Sequence, residues 1–321
     1  MNSFLDGRDA MTASSILGRR GFVALAALAA LAFAAPSSAA AAVKVVTTTQ
    51  GLAALVREVG GDRIQVESLS RGVQDPHFVD ANPMLAVKLR NADLLVDVGL
   101  DLEIGWLPPL VNQSRNGDIQ PGGSRRLTAA SAVGVLDIPS GPVSRAQGDL
   151  HPGGNPHFMT DPRRVEKISA AIADRLSGID AKNASYYAQR LQDFQKRLGA
   201  DEARWQTELA PVKGRKLFTR HRTMTYFFDW SGLVPAGELE PRPGVPPPPG
   251  HLADLVGVAQ REGVKVITVE NYYDTKSAEV VARHSGAKIV LIPGDVGAEP
   301  GIDSYEKYMD TVVKRIAGAL R

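Results

Sequence analysis

The chain of 321 residues contains no cysteine, and this absence restricts both its stability and its chemistry. Disulfides cannot hold the fold, so its stability has to come from a packed core. Thiolates can serve neither as nucleophiles nor as metal ligands. Any metal site therefore has to be built from histidine nitrogens and carboxylate oxygens.

The sequence also lacks a charge excess and the common catalytic motifs. It carries 37 Lys and Arg against 35 Asp and Glu, a formal net charge of +2, with no long basic run. This balance predicts that nucleic acid is not a partner. No H-E-x-x-H, G-x-S-x-G or P-loop sequence occurs, so zinc-protease, serine-hydrolase and nucleotide-binding functions have no motif in their favour.

The first 41 residues have the pattern of an export signal. Arg19 and Arg20 precede a 15-residue apolar run at 21–35, and small residues follow it. The run is shorter than the roughly 20 residues of a membrane span. We therefore expect 1–41 to be a cleaved signal peptide for the periplasm, with a membrane-anchoring start as the alternative. The arginine pair also resembles a twin-arginine signal, although Gly18 stands where that motif favours Ser or Thr.

From Val43 onward, strand and helix patterns alternate, which predicts an α/β fold. We expect two open-sheet α/β lobes joined by one long rigid helix, with a metal cleft between them. The predicted ranges are 42–180 for the N-terminal lobe, 181–210 for the linking helix and 211–321 for the C-terminal lobe. A fourth strand of the first lobe is expected at 133–138.

Four polar residues occupy equivalent places in this pattern. His77, His157, His221 and Asp295 each follow a strand or precede a helix, two in each half. Ligands of open α/β sheets bind beyond the carboxyl ends of the strands, so these side chains are predicted to converge. Three imidazoles and one carboxylate form a four-coordinate site that suits zinc better than manganese. Taken singly, each could be a helix cap or turn residue, and spacing alone does not favour Asp295 over Asp303.

Several segments resemble the metal-binding solute receptors of ABC transporters for zinc, manganese or iron (cluster A-I, ZnuA/TroA-like). They are "DPHFVDANPMLAVKLRNADLLVDVGLDLE", "GNPHFMTDPRRV", "HRTMTYFFDWSGL", "ELEPRPGVPPPPGHL" and "GDVG". The resemblance implies two α/β lobes joined by a long helix, and metal ligands at His77, His157, His221 and Asp295. Histidine at the third position goes with zinc in this family, whereas glutamate goes with manganese or iron.

The role implied is that of a non-enzymatic, high-affinity periplasmic receptor, expected to be a monomer, which delivers Zn²⁺ to an inner-membrane ABC permease. A manganese or iron receptor of the same family is one alternative. A secreted zinc-dependent hydrolase and an adhesin or metallochaperone of this fold are others.

Many zinc receptors of this family carry a long loop rich in His, Asp and Glu in the first lobe, and this chain departs from that pattern. Here residues 111–150 contain no histidine and three aspartates. His151 lies just beyond, in a glycine- and proline-rich stretch. We interpret it as a solvated loop residue, with a weak recruiting ligand as the alternative. Glu270, at the end of a predicted strand, is expected to be a supporting acid rather than a ligand.

Overall fold

The computed structural model describes residues 42–144 and 147–321, which form two four-stranded sheets with helices packed against them. The predicted signal peptide, 1–41, lies outside the described residues. The strands are β1 (Val43–Thr47), β2 (Ile64–Ser68), β3 (Leu94–Asp97), β4 (Arg126–Thr128), β5 (Lys216–Thr219), β6 (Val234–Glu238), β7 (Val266–Glu270) and β8 (Lys288–Ile292).

Both sheets are parallel and have the same topology. The first has the order β2-β1-β3-β4 and the second the order β6-β5-β7-β8. The central strands β3 and β7 are buried along their whole length. Continuous apolar strands of this kind are typical of parallel sheets that helices cover on both faces. The predicted α/β fold with two open sheets is confirmed.

The helices connect the strands and cover the sheets. They are α1 (Gln50–Gly60), α2 (Pro83–Arg90), α3 (Leu107–Ser114), α4 (Pro162–Ile179), α5 (Ala184–Leu209), α6 (Thr225–Ser231), α7 (Pro249–Glu262), α8 (Lys276–Ser285) and α9 (Tyr305–Leu320). Several begin where the sequence places a cap: the side chains of Thr49, Asn82, Asp161 and Ser304 each accept a backbone N–H of the first turn. None of the helices among the described residues has the length and apolarity that crossing a membrane requires.

Helix α5 is the long linking helix, and it touches both halves of the chain. It packs against α1 and α4 on the side of the first sheet and against α9 on the side of the second. Its buried residues are Tyr187, Phe194, Leu198, Trp205 and Leu209, which belong to one continuous core with residues of both sheets. The linking helix was predicted from this apolar stripe. The exact lobe boundaries at 180/181 and 210/211 stay a prediction.

The predicted fourth strand at 133–138 is wrong, because β4 lies at Arg126–Thr128. Contacts of Asp97, at the end of β3, explain why the fourth strand forms at 126–128. Its Oδ2 accepts from Arg126 Nη2 at 3.0 Å, and its Oδ1 accepts from Thr128 Oγ1 at 3.1 Å. These contacts attach β4 to β3. The backbone of Leu136 instead bonds to Asn155 N at 2.8 Å and to the Tyr226 hydroxyl at 3.0 Å.

Strand β6 was not predicted, because its sequence, VPAGE, contains proline and glycine. Both residues are depleted in strands, but an edge strand tolerates proline. β6 is one of the two edge strands of its sheet.

Candidate metal centre

The loops that carry the four predicted ligands leave the carboxyl ends of the two sheets. His77 lies between β2 and α2, His221 follows β5 and Asp295 follows β8. His157 precedes a short 3-10 turn that leads into α4. This is the edge at which open α/β sheets bind ligands.

The structure brings three of the four predicted residues together. The candidate ligand nitrogens of His77, His157 and His221 all lie within 4.8 Å of one another. The ring centroids are 5.2 Å apart for His77 and His157, 5.4 Å for His77 and His221, and 5.3 Å for His157 and His221. The three rings therefore form a nearly equilateral triangle around one point.

Carboxylates orient two of these rings. Asp75 Oδ1 lies 2.6 Å from His77 Nδ1, and Glu240 Oε2 lies 3.2 Å from His221 Nδ1. Each Nδ1–H donates to its carboxylate, which leaves Nε2 with a free lone pair. This is how proteins fix the tautomer of a metal-binding histidine. The sequence did not identify Asp75 or Glu240, although an acid two residues before His77 was an available signal.

The third ring, that of His157, has an unsatisfied nitrogen. Its Nε2 is buried and has no hydrogen-bond partner among the described residues. Buried polar atoms are normally paired, so an unpaired imidazole nitrogen beside two others suits coordination of a cation. A divalent transition metal at the centre of the triangle fits this donor set.

The pKa values of His157 and Asp75 favour binding of a cation by the cluster. Burial, together with the nearby His77, His221 and His151, holds the pKa of His157 well below its ordinary value. His157 is therefore neutral at neutral pH, as a metal ligand must be. Burial alone would raise the pKa of Asp75, but its hydrogen bonds with His77 outweigh this and leave that pKa below its usual value. The site thus combines a neutral imidazole at His157 with a carboxylate at Asp75 that stays ionised.

Asp295 lies beside the triangle and is not part of it. Its Oδ2 accepts from Gln50 N at 3.0 Å and its Oδ1 from Val296 N at 2.8 Å. Burial raises the pKa of Asp295 to about 6, although the backbone donors at Val296 and at the N-terminus of α1 act in the opposite direction. Asp295 and His157 line a common cavity of 70 Å³. Its role as fourth ligand stays a prediction.

Interpreting His151 as a solvated loop residue was wrong. His151 Nε2 lies 3.3 Å from His77 Nε2, and the two rings stack with centroids 5.4 Å apart. The turn that carries it folds back onto the cluster. No pattern in the sequence signalled this contact.

Glu270 lines the cavity shared by His157 and Asp295. Its Oε1 accepts from the Thr223 hydroxyl, and its Oε2 has no partner in the described part of the chain. Burial raises the pKa of Glu270 to about 7. It supports the Thr223 loop next to His221, and no described contact joins it to an imidazole. The remaining histidines bond elsewhere, His251 to Glu238 O and His284 to Val280 O, each at 2.9 Å.

Comparison with known proteins places this geometry in a family. Residues 45–319 match the family model described as ZnuA, zinc-uptake complex component A periplasmic. The chain is 26% identical over 330 residues to the high-affinity zinc uptake system protein ZnuA of Paracoccus denitrificans, covering 91% of this chain and 96% of that protein. It is also 26% identical to the manganese ABC transporter substrate-binding lipoprotein PsaA of Streptococcus pneumoniae, over 86% of this chain and 88% of that protein.

Solved structures show the same fold. A crystal structure of ZnuA superposes with a TM-score of 0.71 at 23% identity, covering 87% of this chain and all of that one. A manganese-bound periplasmic metal-binding protein from Candidatus Liberibacter asiaticus gives 0.72 at 16% identity, with the same coverage. The family match spans nearly all of the described residues, and its fold is the one observed. The chain belongs to the ZnuA family of periplasmic zinc-uptake components.

Proposed function

We propose that this chain is an exported, high-affinity zinc receptor of the periplasm, which captures Zn²⁺ and passes it to an inner-membrane ABC permease. The observation that carries the proposal is the triangle of His77, His157 and His221, with ligand nitrogens within 4.8 Å and two rings oriented by carboxylates. The names of the relatives support it, since they describe zinc uptake and metal ABC transport.

Zinc is the proposed cargo, with manganese or iron as the alternative. Three imidazole nitrogens favour zinc, whereas manganese prefers oxygen ligands. The manganese-named relatives keep the alternative open. Asp295 is the proposed fourth ligand, because it shares a cavity with His157 and would reduce the net charge of the bound ion from +2 to +1.

The role is one of binding rather than catalysis. The family consists of uptake components, and its relatives act as substrate-binding proteins of ABC transporters. A catalytic zinc needs an open position for water and a general base. Four protein ligands fill the coordination shell and leave no such position. We propose that the mature protein works as a monomer, after loss of residues 1–41.

The test is a competition titration of untagged protein with zinc, manganese and iron against a chromophoric chelator. We expect zinc to bind most tightly, and His157→Ala to lower its affinity by at least about a hundredfold while the fold is kept. His284→Gln is the matched control, because the His284 side chain is exposed and among the described residues its ring bonds only to Val280 O. Equal zinc affinity of the His157→Ala variant and the unaltered protein would contradict the proposal.

A further inference from the structure

The loop that carries His151 is attached to the second half of the chain and contains a tight turn. Asp149 N donates to Pro243 O at 2.8 Å, which attaches the loop to the proline-rich segment of the second half. Gly154 N donates to His151 O at 3.0 Å, so residues 151–154 form a tight turn. Proline at the second position and glycine at the fourth, as found here, are typical of a type I turn. His151 is thus fixed at the start of a rigid turn.

The distance between His151 and His77 is that of two ligands of one ion. At metal–nitrogen distances of about 2.0–2.1 Å, two ligands of a tetrahedral zinc ion lie about 3.3–3.4 Å apart. The observed Nε2–Nε2 distance is 3.3 Å. His77 donates its Nδ1–H to Asp75, so its ring has a second partner that orients it, as metal-binding histidines do.

His151 and Asp295 approach the triangle from different cavities. His151 and His77 line an open cavity of 480 Å³, and a narrow one of 20 Å³ connects His151 with His157 and His221. Asp295 lines the separate cavity of 70 Å³ and has both carboxylate oxygens on backbone donors. In this conformation His151 contacts one corner of the triangle, His77, and lies outside the group of three nitrogens that are within 4.8 Å of one another.

We propose that His151 is a metal ligand of this chain, completing a four-imidazole site with His77, His157 and His221 while Asp295 stays on its backbone donors. This inference rests on the proposed function and adds a coordination state to it. Four nitrogens select a zinc-like ion over manganese. A bound ion then keeps its full charge of +2 until Asp295 takes part.

The experiment measures zinc affinity in the Asp295→Asn background, where only the four-imidazole state is left. We expect Asp295→Asn to bind zinc, and added His151→Gln to lower its affinity by about tenfold or more. His284→Gln in the same background should have no effect. X-ray absorption should count four imidazoles around zinc in Asp295→Asn and three in the double variant.

The outcomes separate this inference from the proposed function. Two results would show that His151 is not a ligand while the receptor function stands. In the first, unaltered protein binds zinc but Asp295→Asn does not. In the second, His151→Gln changes neither the zinc affinity nor the imidazole count in the Asp295→Asn background. If unaltered protein binds no zinc, both fail. Thermal unfolding without metal shows that each variant is folded, so a loss of binding reports the site.

Discussion

The carboxylate of Asp75 joins His77 to Tyr273 of the second half. Its Oδ1 accepts from both the backbone N and the ring Nδ1 of His77, at 3.0 and 2.6 Å. Its Oδ2 accepts from the Tyr273 hydroxyl at 2.9 Å, across 198 residues of sequence. One carboxyl group thus orients His77, a proposed ligand in the first half, against the second half.

Asp75→Asn should lower zinc affinity by about tenfold to a hundredfold, because the amide cannot accept the Nδ1–H with the same strength or select the tautomer. Competition titration measures the affinity. Asp303→Asn is the control, since Asp303 is exposed and pairs only with Lys307 among described residues. An unchanged affinity for Asp75→Asn would show that His77 is oriented by other contacts.

Glu270 predicts a pH dependence of metal-free stability. Its folded-state pKa of about 7 lies above the ordinary 4.5, so the folded protein holds this proton more tightly than the unfolded chain. The stabilising contribution of protonated Glu270 is complete below pH 4.5 and is lost as the pH rises towards 7. Above that range the buried charge costs up to about 3 kcal/mol.

Glu270→Gln should therefore raise the free energy of unfolding at pH 8 by up to about 3 kcal/mol, and by progressively less towards pH 5. Urea unfolding of metal-free protein at several pH values tests this. Glu67→Gln, at an exposed position, should show no such trend. A Glu270→Gln difference that does not vary with pH would mean that this carboxyl does not titrate in the range.

The sequence predicted the residues of the triangle better than their surroundings. His77, His157 and His221 follow from placement after strands and before helices, which is local information. Glu240 and His151 reach the cluster through a segment and a turn whose paths depend on tertiary contacts, such as the bond from Asp149 N to Pro243 O. Such contacts leave no periodic signal in the sequence.

At the scale of elements, the N-terminus of α1 positions Asp295 by close contact. A Cβ at Gly51 would lie 2.7 Å from Asp295 Oδ1 and 3.1 Å from Met159 Cε. Glycine at this place lets the carboxylate approach the helix backbone. Helix α1 was predictable from its apolar pattern and its cap. Its contact with Asp295 was not, because it joins residues far apart in the chain.

Gly51→Ala should lower the free energy of unfolding by about 1–3 kcal/mol, because the methyl group overpacks this contact. Gly199→Ala is the matched change within α5, where an added Cβ has nothing within 4 Å among the described atoms. It should stabilise the protein by about 0.5–1 kcal/mol. Urea unfolding measures both, and stabilisation by Gly51→Ala would show that the carboxylate moves freely.

At the scale of the whole molecule, α5 joins the two sheets through one core. Arg197 of α5 pairs with Glu58 of α1 and, at 3.8 Å, with Glu306 of α9, so the same side chain reaches helices of both halves. Tyr187 and Trp205, at opposite ends of the helix, are both fully buried. The two halves are thereby expected to unfold together.

Calorimetry of the metal-free protein should show a single unfolding transition, and zinc should raise its midpoint. A ligand that binds only the folded state at a hundred times its Kd adds about 2.7 kcal/mol, which corresponds to a shift of several degrees. Two resolved transitions would contradict the continuous core. An unshifted midpoint at saturating zinc would contradict binding to the folded state.

The triangle of imidazoles draws its corners from positions 77, 157 and 221, so no contiguous fragment of either half carries all of them. A nascent chain that has not yet emerged beyond β5 has at most two of the corners, and two imidazoles chelate weakly. The proposed metal binding therefore requires synthesis of the chain past residue 221 and the folding of both halves against each other.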